Sequence, residues 1–289
     1  MRVRHLFAGG TVLWSGLSLH AFTLLTFNVG GNGTTDWSTN APQVQAIGRQ
    51  MMYLKPDIIT FNEVPFTNSY QMTNFVTAFL PGYYLARNSG TDGFLRSVIV
   101  SRFPIARSQK WLDGVTLSDF GVNARFARDL FEAELNVPEL AEPLHIFTTH
   151  LKSLSDRESA DRRGAEASAI SNFFVTVFLP TLGHRPYVLT GDLNEDISRA
   201  PSSSRQPIQR LANAATGLRL TTPTNRITGS DRTISIRDSL TARFDYILPC
   251  ALLFSNILGS EVFRTDVLSP RRRIWKSSIA KRPRTTCLC

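Results

Sequence analysis

The stretch from Pro186 to Asp196 constrains the fold most, because it predicts a buried strand that ends in polar side chains. Its apolar part is too short for a helix and is bounded by a proline and a glycine. Side chains alternate between faces on an extended chain, so Asp192 and Asn194 point the same way. Together they could bind a cation, remove a proton from water or contact a phosphate oxygen. The same Gly-Asp-x-Asn pattern is also typical of an ordinary turn.

Three earlier segments, 22–29, 57–64 and 144–150, also predict buried strands with a polar side chain near the end. These side chains are Asn28, Glu63 and His150. Glu63 is either a solvated strand end or a metal ligand. His150 is either structural or, as a cation, a donor to a phosphate group. A fifth segment, 242–248, contains the lone carboxylate of Asp245, which should have a partner if it is buried.

The order of the elements predicts mixed sheets. Strand, helix and strand follow one another with short connections between 22 and 64, which indicates parallel pairing. Apolar residues alternate with acidic ones over 129–137, which is typical of an antiparallel strand with one solvated face. A helix with a core face is predicted after Pro42, and a long helix over 156–179. The 289 residues, 42% of them hydrophobic, suffice for one large domain, which we place at 22–268.

The N-terminal residues resemble a secretory signal. Met1 to His5 carry positive charge, and residues 6–19 are mostly apolar. Cleavage near Ala21 would remove residues 1–21 and predicts an exported protein, periplasmic or extracellular. An ordinary N-terminal strand or helix is the alternative.

Residues 269–289 form a basic tail that carries seven positive charges and no acidic residue. Without these seven charges the formal net charge falls from +9 to +2, so the body of the chain is nearly balanced. The tail is predicted to be disordered, with polyanion binding as the alternative. The three cysteines show neither a disulfide framework nor a spacing for zinc, and Cys250 is predicted to be packed.

The polar strand-end residues follow a fixed order from 22 to 248. In sequence they are Asn28, Glu63, His150, Asp192 with Asn194, and Asp245. This order resembles that of the endonuclease/exonuclease/phosphatase superfamily, the metal-dependent phosphoesterases that include the pancreatic deoxyribonuclease, apurinic endonuclease and neutral sphingomyelinase groups. The resemblance implies an α+β or α/β fold, a four-layer sandwich. Two mixed β-sheets pack face to face in it, and helices cover them.

The resemblance also implies a role for each residue. Glu63 would bind a divalent cation, magnesium or manganese, and Asn28 would help to position metal and phosphate. His150 would contact the phosphoryl group. Asp192 would activate the attacking water, and Asn194 would orient Asp192 or the phosphate. The cation and the donors would then neutralise charge as phosphorus is attacked.

The C-terminus departs from this family pattern. Family members end in a strand bearing Ser-Asp-His, whose histidine is supported by the carboxylate that matches Asp245. This chain has no histidine after His184, and its late Asp266 has no adjoining histidine. The composition changes abruptly near Ser269, which a frameshifted or truncated gene would produce, as would a natural tail. We therefore expect the sheet to lack its C-terminal strand and the chain to be impaired in catalysis.

Two functions from different classes follow from these residues. The first is an exported phosphodiesterase or phosphomonoesterase that acts as a monomer with no obligate protein partner. Its substrate would be nucleic acid, a phospholipid headgroup or an inositol phosphate. The second is a noncatalytic protein that keeps the fold and binds a phosphate ligand. A third hypothesis, nucleic-acid binding, rests on the basic tail alone.

Overall fold

A computed structural model describes residues 21–198, 206–234, 240–265 and 286–288. The predicted signal before Ala21 and the late Asp266 lie outside the described residues. The strands are β1 Leu24–Asn28, β2 Ile58–Pro65, β3 Tyr84–Arg87, β4 Leu95–Ser101, β5 Ile105–Trp111, β6 Leu130–Leu135, β7 Leu144–His150, β8 Tyr187–Asp192, β9 Asp245–Pro249, β10 Glu261–Phe263 and β11 Thr286–Leu288. The helices are α1 Pro42–Leu54, α2 Met72–Phe79, α3 Arg157–Phe173, α4 Leu179–Leu182, α5 Pro207–Leu211 and α6 Ala251–Phe254, with a π-helical turn at Phe174–Phe178 between α3 and α4.

The strands form two mixed sheets, as predicted. The first sheet has the order β10-β11-β1-β2-β4-β3, and the second has the order β5-β6-β7-β8-β9. The pairs β1/β2 and β7/β8 are parallel, and the other pairs are antiparallel. The predicted α/β sandwich, the parallel start and the antiparallel middle strands are therefore confirmed.

Apolar side chains fill three layers between and outside the sheets. Ile58 and Ile99 of the first sheet pack with Ile146 and Val188 of the second, which makes the layer between the sheets. The face of α1 packs with α2 against the first sheet. The predicted core positions Val44, Ile47 and Met51 are buried there. A cluster of aromatic rings from α3 and the π-helical turn covers the second sheet.

The helical segment Arg157–Leu182 is long and apolar enough to cross a membrane by length and composition. Its buried side chains, however, belong to the cluster that covers the second sheet. Burial of this kind is typical of the core helix of a sandwich. We therefore treat this segment as part of the fold.

The register of the strands brings the polar strand ends to one edge. In the first sheet Asn28 lies opposite Asn62, and in the second His150 and Asp245 both lie opposite Asp192. Because parallel strands end at the same edge, side chains that are far apart in sequence meet there.

A C-terminal strand is present, contrary to the expectation that the sheet lacks one. β11 lies between β10 and β1, and Leu288 pairs with Leu25. Residues 286–288 thus pair in the first sheet, and disorder of the rest of the tail stays a prediction. The backbone groups of β1 and β10 offer hydrogen-bonding edges, and a short β-prone segment can satisfy both whatever its flanking charges.

Candidate functional site

Glu63, His150 and Asp192 form a compact group where the two sheets meet. One ligand atom from each residue lies within 4.8 Å of the others. His150 Nε2 lies 3.9 Å from Glu63 Oε1 and 4.0 Å from Asp192 Oδ2. Glu63 comes from the first sheet and the other two residues from the second. The structure thus brings together three residues that the sequence analysis placed at strand ends.

Asn28 links the two carboxylates of this group. Its Nδ2 donates hydrogen bonds of 2.8 Å to Glu63 Oε1 and 2.8 Å to Asp192 Oδ2. Its Oδ1 accepts a hydrogen bond of 3.0 Å from the Gly30 N–H. The amide nitrogen, rather than the oxygen, therefore faces the carboxylates in this arrangement. Metal ligation by Asn28 stays a prediction, whereas its contact with both acidic residues is observed.

The backbone of Glu63 is unusual and explains how its side chain reaches the site. Its φ of +59° is uncommon for a residue other than glycine. The register of β2 against β4 also shifts between Phe61 and Val64. Such a bulge changes the direction of a side chain, so that Asn62 and Glu63 can both face the site although they are adjacent in sequence.

Asn62 is a site residue that the sequence analysis missed. Its side chain is fully buried, and its Oδ1 accepts a hydrogen bond of 3.1 Å from the Asp192 N–H. Its Nδ2 donates to Ser97 Oγ at 3.1 Å and to Thr148 Oγ1 at 3.3 Å. Asn62 therefore fixes the backbone of Asp192 across the interface of the sheets. An amide inside the apolar run Ile58–Val64 was the available signal, because a buried amide needs partners.

Asn194 forms a turn and also orients Asp192. Its backbone N–H donates to Asp192 Oδ1 at 2.9 Å, and its φ is +50°. Its side-chain Nδ2 donates to the Leu151 carbonyl at 3.1 Å. The two interpretations of the Gly-Asp-x-Asn pattern are thus compatible, since the turn itself holds the carboxylate.

Asp245 lies directly opposite Asp192 on the neighbouring strand and is buried. Its backbone N–H donates to Thr233 Oγ1 at 3.1 Å. Among the residues that the structure describes, the compact group contains Glu63, His150 and Asp192 and does not include Asp245. The structure places Asp245 beside the site, and the part in catalysis that the resemblance implies for it stays a prediction.

The partly buried Arg128 and the buried Glu166 fix the loop that follows His150. Arg128 Nη1 donates to the carbonyls of His150 at 3.0 Å and Leu151 at 3.1 Å. Glu166 accepts hydrogen bonds from the backbone N–H groups of Ala127 and Lys152 at 2.8 and 2.7 Å. Burial raises the pKa of the Glu166 carboxyl above its usual value. Sequence patterns did not predict these contacts, because each side chain reaches backbone atoms of a different segment.

The chemistry of the donor set fits a divalent cation. Two carboxylates that approach one imidazole and one amide place negative charge in a small volume. A divalent cation would offset the repulsion between the carboxylates. Carboxylate oxygens suit magnesium, and a set that includes imidazole also accepts manganese.

Comparisons with known proteins agree with this arrangement. A model of the Endonuclease/Exonuclease/phosphatase family matches residues 25–262. No curated protein sequence matches the chain. The solved structures that resemble it include truncated Caenorhabditis elegans TDP2, with a TM-score of 0.59 and 14% identity over 92% of this chain and 96% of that chain. They also include the human Nocturnin catalytic domain with a bound sulfate anion, with a TM-score of 0.62 and 14% identity over 93% and 92%.

Two further solved structures share the fold. One is an endonuclease/exonuclease/phosphatase from Beutenbergia cavernae DSM 12333, with a TM-score of 0.61 and 15% identity over 92% of this chain and 70% of that chain. The other is D. rerio TDP2 complexed with a single strand DNA product, with a TM-score of 0.59 and 11% identity over 92% and 98%. At these identities the likeness is one of fold.

Proposed function

Because the chain belongs to the endonuclease/exonuclease/phosphatase family, we propose that it is a divalent-metal-dependent phosphoesterase. The observation that carries the proposal is the convergence of Glu63, His150 and Asp192 within 4.8 Å at the shared edge of the sheets. Family members are usually hydrolases that act on phosphoester bonds. The sulfate anion bound to Nocturnin and the DNA product bound to D. rerio TDP2 support a phosphoester substrate here.

Glu63 and Asp192 would hold the cation, magnesium or manganese, with Asn28 contacting both. When bound, the cation would supply neutralisation of phosphate charge and would favour deprotonation of a nearby water. Without it, the Asn28 amide already donates to both carboxylates, which keeps them close together. The chain therefore provides a site whose two acidic groups are positioned in advance.

The protein's own groups would perform the proton transfer and the binding of phosphate. Asp192 would accept a proton from the attacking water, because Asn62 and Asn194 fix its backbone and side chain. His150, with Nε2 about equally far from both carboxylates, would donate to a phosphoryl oxygen. Arg128 donates to the carbonyl of His150 and so fixes the backbone from which the imidazole extends.

The substitution Glu63→Gln tests this proposal. It keeps the shape of the side chain but removes the charge that binds the cation. We expect hydrolysis of bis(p-nitrophenyl) phosphate with Mg²⁺ to fall by about 10²-fold or more. We also expect weaker Mn²⁺ binding in titration calorimetry. Glu139→Gln changes an exposed glutamate and serves as the matched control. Equal hydrolysis and metal affinity in all three proteins would contradict the proposal.

The alternative is a noncatalytic protein that binds a phosphate ligand at the same site. The lack of a histidine after His184 is the observation that favours it. Metal and phosphate binding that depend on Glu63, without any turnover, would support this alternative. Export and a monomeric state also belong to the proposal. They are checked by sequencing the N-terminus of the mature protein and by light scattering.

A further inference from the structure

Phe94 is exposed although its backbone is fixed. Its side chain is 64% exposed and lies in the turn between β3 and β4. Asp92 Oδ1 accepts the N–H groups of Phe94 and Leu95, each at 2.9 Å. Thr91 Oγ1 donates to the Leu95 carbonyl at 2.8 Å. The ordered turn thus presents an aromatic face to solvent in a fixed place, where it is available for stacking.

This turn lies beside the proposed phosphate site. Leu95 pairs with Pro65, and the Phe66 N–H donates to the Phe94 carbonyl at 2.9 Å. Glu63 and Pro65 both lie at the end of β2, and Leu95 of the turn pairs with Pro65. The turn that carries Phe94 is therefore at the same end of β2 as the carboxylate of Glu63.

Arg128 fixes the turn relative to His150. Its Nε lies 3.0 Å from Asp92 Oδ2, while its Nη1 donates to the carbonyls of His150 and Leu151. Asp92 in turn binds the backbone of Phe94 through its other oxygen. One guanidinium thus connects the exposed ring to the strand end that carries the imidazole.

The surroundings of Phe94 combine aromatic rings with a positive charge. The Arg96 guanidinium lies 4.6 Å from the centroid of the Phe66 ring, and its Nη1 donates to Ser69 Oγ at 3.0 Å. Tyr70, which follows Ser69 in sequence, is 59% exposed. Aromatic faces beside a fixed cation match a single nucleic-acid strand, whose bases stack and whose backbone is anionic.

We propose that Phe94, with the Phe66–Arg96 pair, is a stacking platform for a base of a single-stranded nucleic acid. The inference rests on the proposed function, which places a backbone phosphate at Glu63, His150 and Asp192. It deepens that function by selecting nucleic acid among the possible phosphoester substrates. A lipid surface is a weaker match, because residues 89–93 beside the ring are Ser, Gly, Thr, Asp and Gly, without an aliphatic side chain to insert.

The test measures the affinity of the full chain for a fluorescein-labelled single-stranded hexathymidylate in EDTA, which prevents turnover. We expect Phe94→Ala to weaken binding about 5- to 150-fold, the range for loss of one stacked base. Phe94→Tyr should keep the affinity, and Phe94→Leu should lose it, because leucine is apolar but has no aromatic face. Phe254 is another exposed phenylalanine, 42% exposed, and it follows the end of β9 that points away from Asp192. Phe254→Ala should therefore leave the affinity unchanged.

Unchanged affinity in Phe94→Ala, with an unchanged melting temperature, would overturn the inference. Binding to phosphatidylcholine–phosphatidylserine vesicles would also overturn it, if Phe94→Ala loses that binding and Phe94→Leu keeps it. Failure of the proposed function is a separate result. A chain that binds the oligonucleotide through Phe94 but hydrolyses no phosphoester would contradict the proposed function and support the platform. An active chain whose oligonucleotide affinity does not depend on Phe94 would refute only the platform.

Discussion

Asp129 is a buried carboxylate whose charge destabilises the folded protein at neutral pH. It is 2% exposed and accepts a hydrogen bond of 2.6 Å from Asn88 Nδ2. Burial raises the pKa of Asp129 from 3.8 to about 6, and the Asn88 hydrogen bond offsets only part of this effect. A raised pKa means that the folded state binds the proton more tightly than the unfolded state does. The stability that this proton provides is present below pH 3.8 and is lost as the pH rises to about 6.

The substitution Asp129→Asn should therefore stabilise the protein at pH 7.5 and have little effect at pH 4. The expected gain in the free energy of unfolding at the higher pH is about 1–3 kcal/mol, because the amide needs no proton to be neutral. Urea unfolding at both pH values measures it. Asp119→Asn alters an exposed carboxylate and is the control. A gain of the same size at both pH values would contradict the assigned cause.

Asn28 allows a second prediction at the scale of a single residue. Replacing its donating amide by a carboxylate, Asn28→Asp, puts a third acidic group against Glu63 and Asp192. We expect the melting temperature in EDTA to fall, by the equivalent of about 1–3 kcal/mol, because like charges then meet in a buried place. We expect Mg²⁺ to raise the melting temperature more in the variant than in the unchanged protein.

Asn32→Asp, at an exposed position in the nearby loop, is the control for this experiment. Calorimetry with and without Mg²⁺ measures the difference. If Mg²⁺ fails to stabilise either protein, the carboxylates do not form a cation site.

Sequence patterns predicted the polar residues at strand ends but not the residues that support them. Asn28, Glu63, His150 and Asp192 each follow an apolar run, which is a local signal. Asn62 and Arg128 act through backbone atoms of distant segments, so their roles depend on register and on loop geometry. A window of the sequence shows that a buried Asn62 needs partners, but it does not show which distant atoms they are.

At the scale of elements, β7 and β8 depend on a glycine at the point where they approach the site. Gly191 has a φ of +136°, and a Cβ added there would lie 1.9 Å from the Thr149 carbonyl oxygen. Gly191→Ala should therefore separate the strands or shift the end of β8 that carries Asp192. We expect a loss of at least about 3 kcal/mol in the free energy of unfolding.

Gly229→Ala is the control that separates the cost of a steric clash from the cost of a positive φ. Gly229 has a φ of +67°, and an added Cβ there meets nothing within 4 Å. This variant should lose only about 1–2 kcal/mol, as measured by chemical denaturation. Similar losses in the two variants would show that the close approach to Thr149 is not the dominant cost.

The elements were predictable where periodicity was strong. The amphipathic helix α1, the parallel pair β1/β2 and the long helix after residue 156 match the expectation. The start of the last strand of the second sheet was placed at 242, whereas β9 begins at Asp245. Ala242 instead pairs with Ile234 in an isolated bridge, whereas β9 pairs with β8. The apolar run therefore includes residues that belong to two different pairings.

At the scale of the whole molecule, the order of the strand ends indicated the fold because a sandwich with two parallel pairs brings four such ends to one edge. The choice of substrate had no comparable signal. It depends on exposed loops such as the one that carries Phe94, whose sequence alone has no periodicity. The C-terminal strand was missed because its three residues follow an Arg-rich segment.

The reading frame of the tail gives the last prediction. The resemblance implies a strand with Ser-Asp-His, and β11 runs antiparallel to β1 from the edge where Asn28 lies. The residues from Pro283 to Thr286 are Pro-Arg-Thr-Thr. We take CGN as the codon of Arg284 and read in the frame that starts at the third base of each codon. The three triplets in that frame are NCG, NAC and NAC. These triplets include TCG, GAC and CAC, which encode Ser, Asp and His.

We therefore expect the gene to carry T, G and C at the third positions of codons 283, 284 and 285, after the loss of one nucleotide or the gain of two upstream. Resequencing the gene from its source checks this, and other bases at these positions would refute it. Inserting one nucleotide between codons 269 and 283 should then restore the histidine. Since a positioned acid or base contributes about 10²- to 10⁴-fold, hydrolysis of bis(p-nitrophenyl) phosphate should rise by that factor. An unchanged rate in the restored protein would mean that the tail is not what limits catalysis.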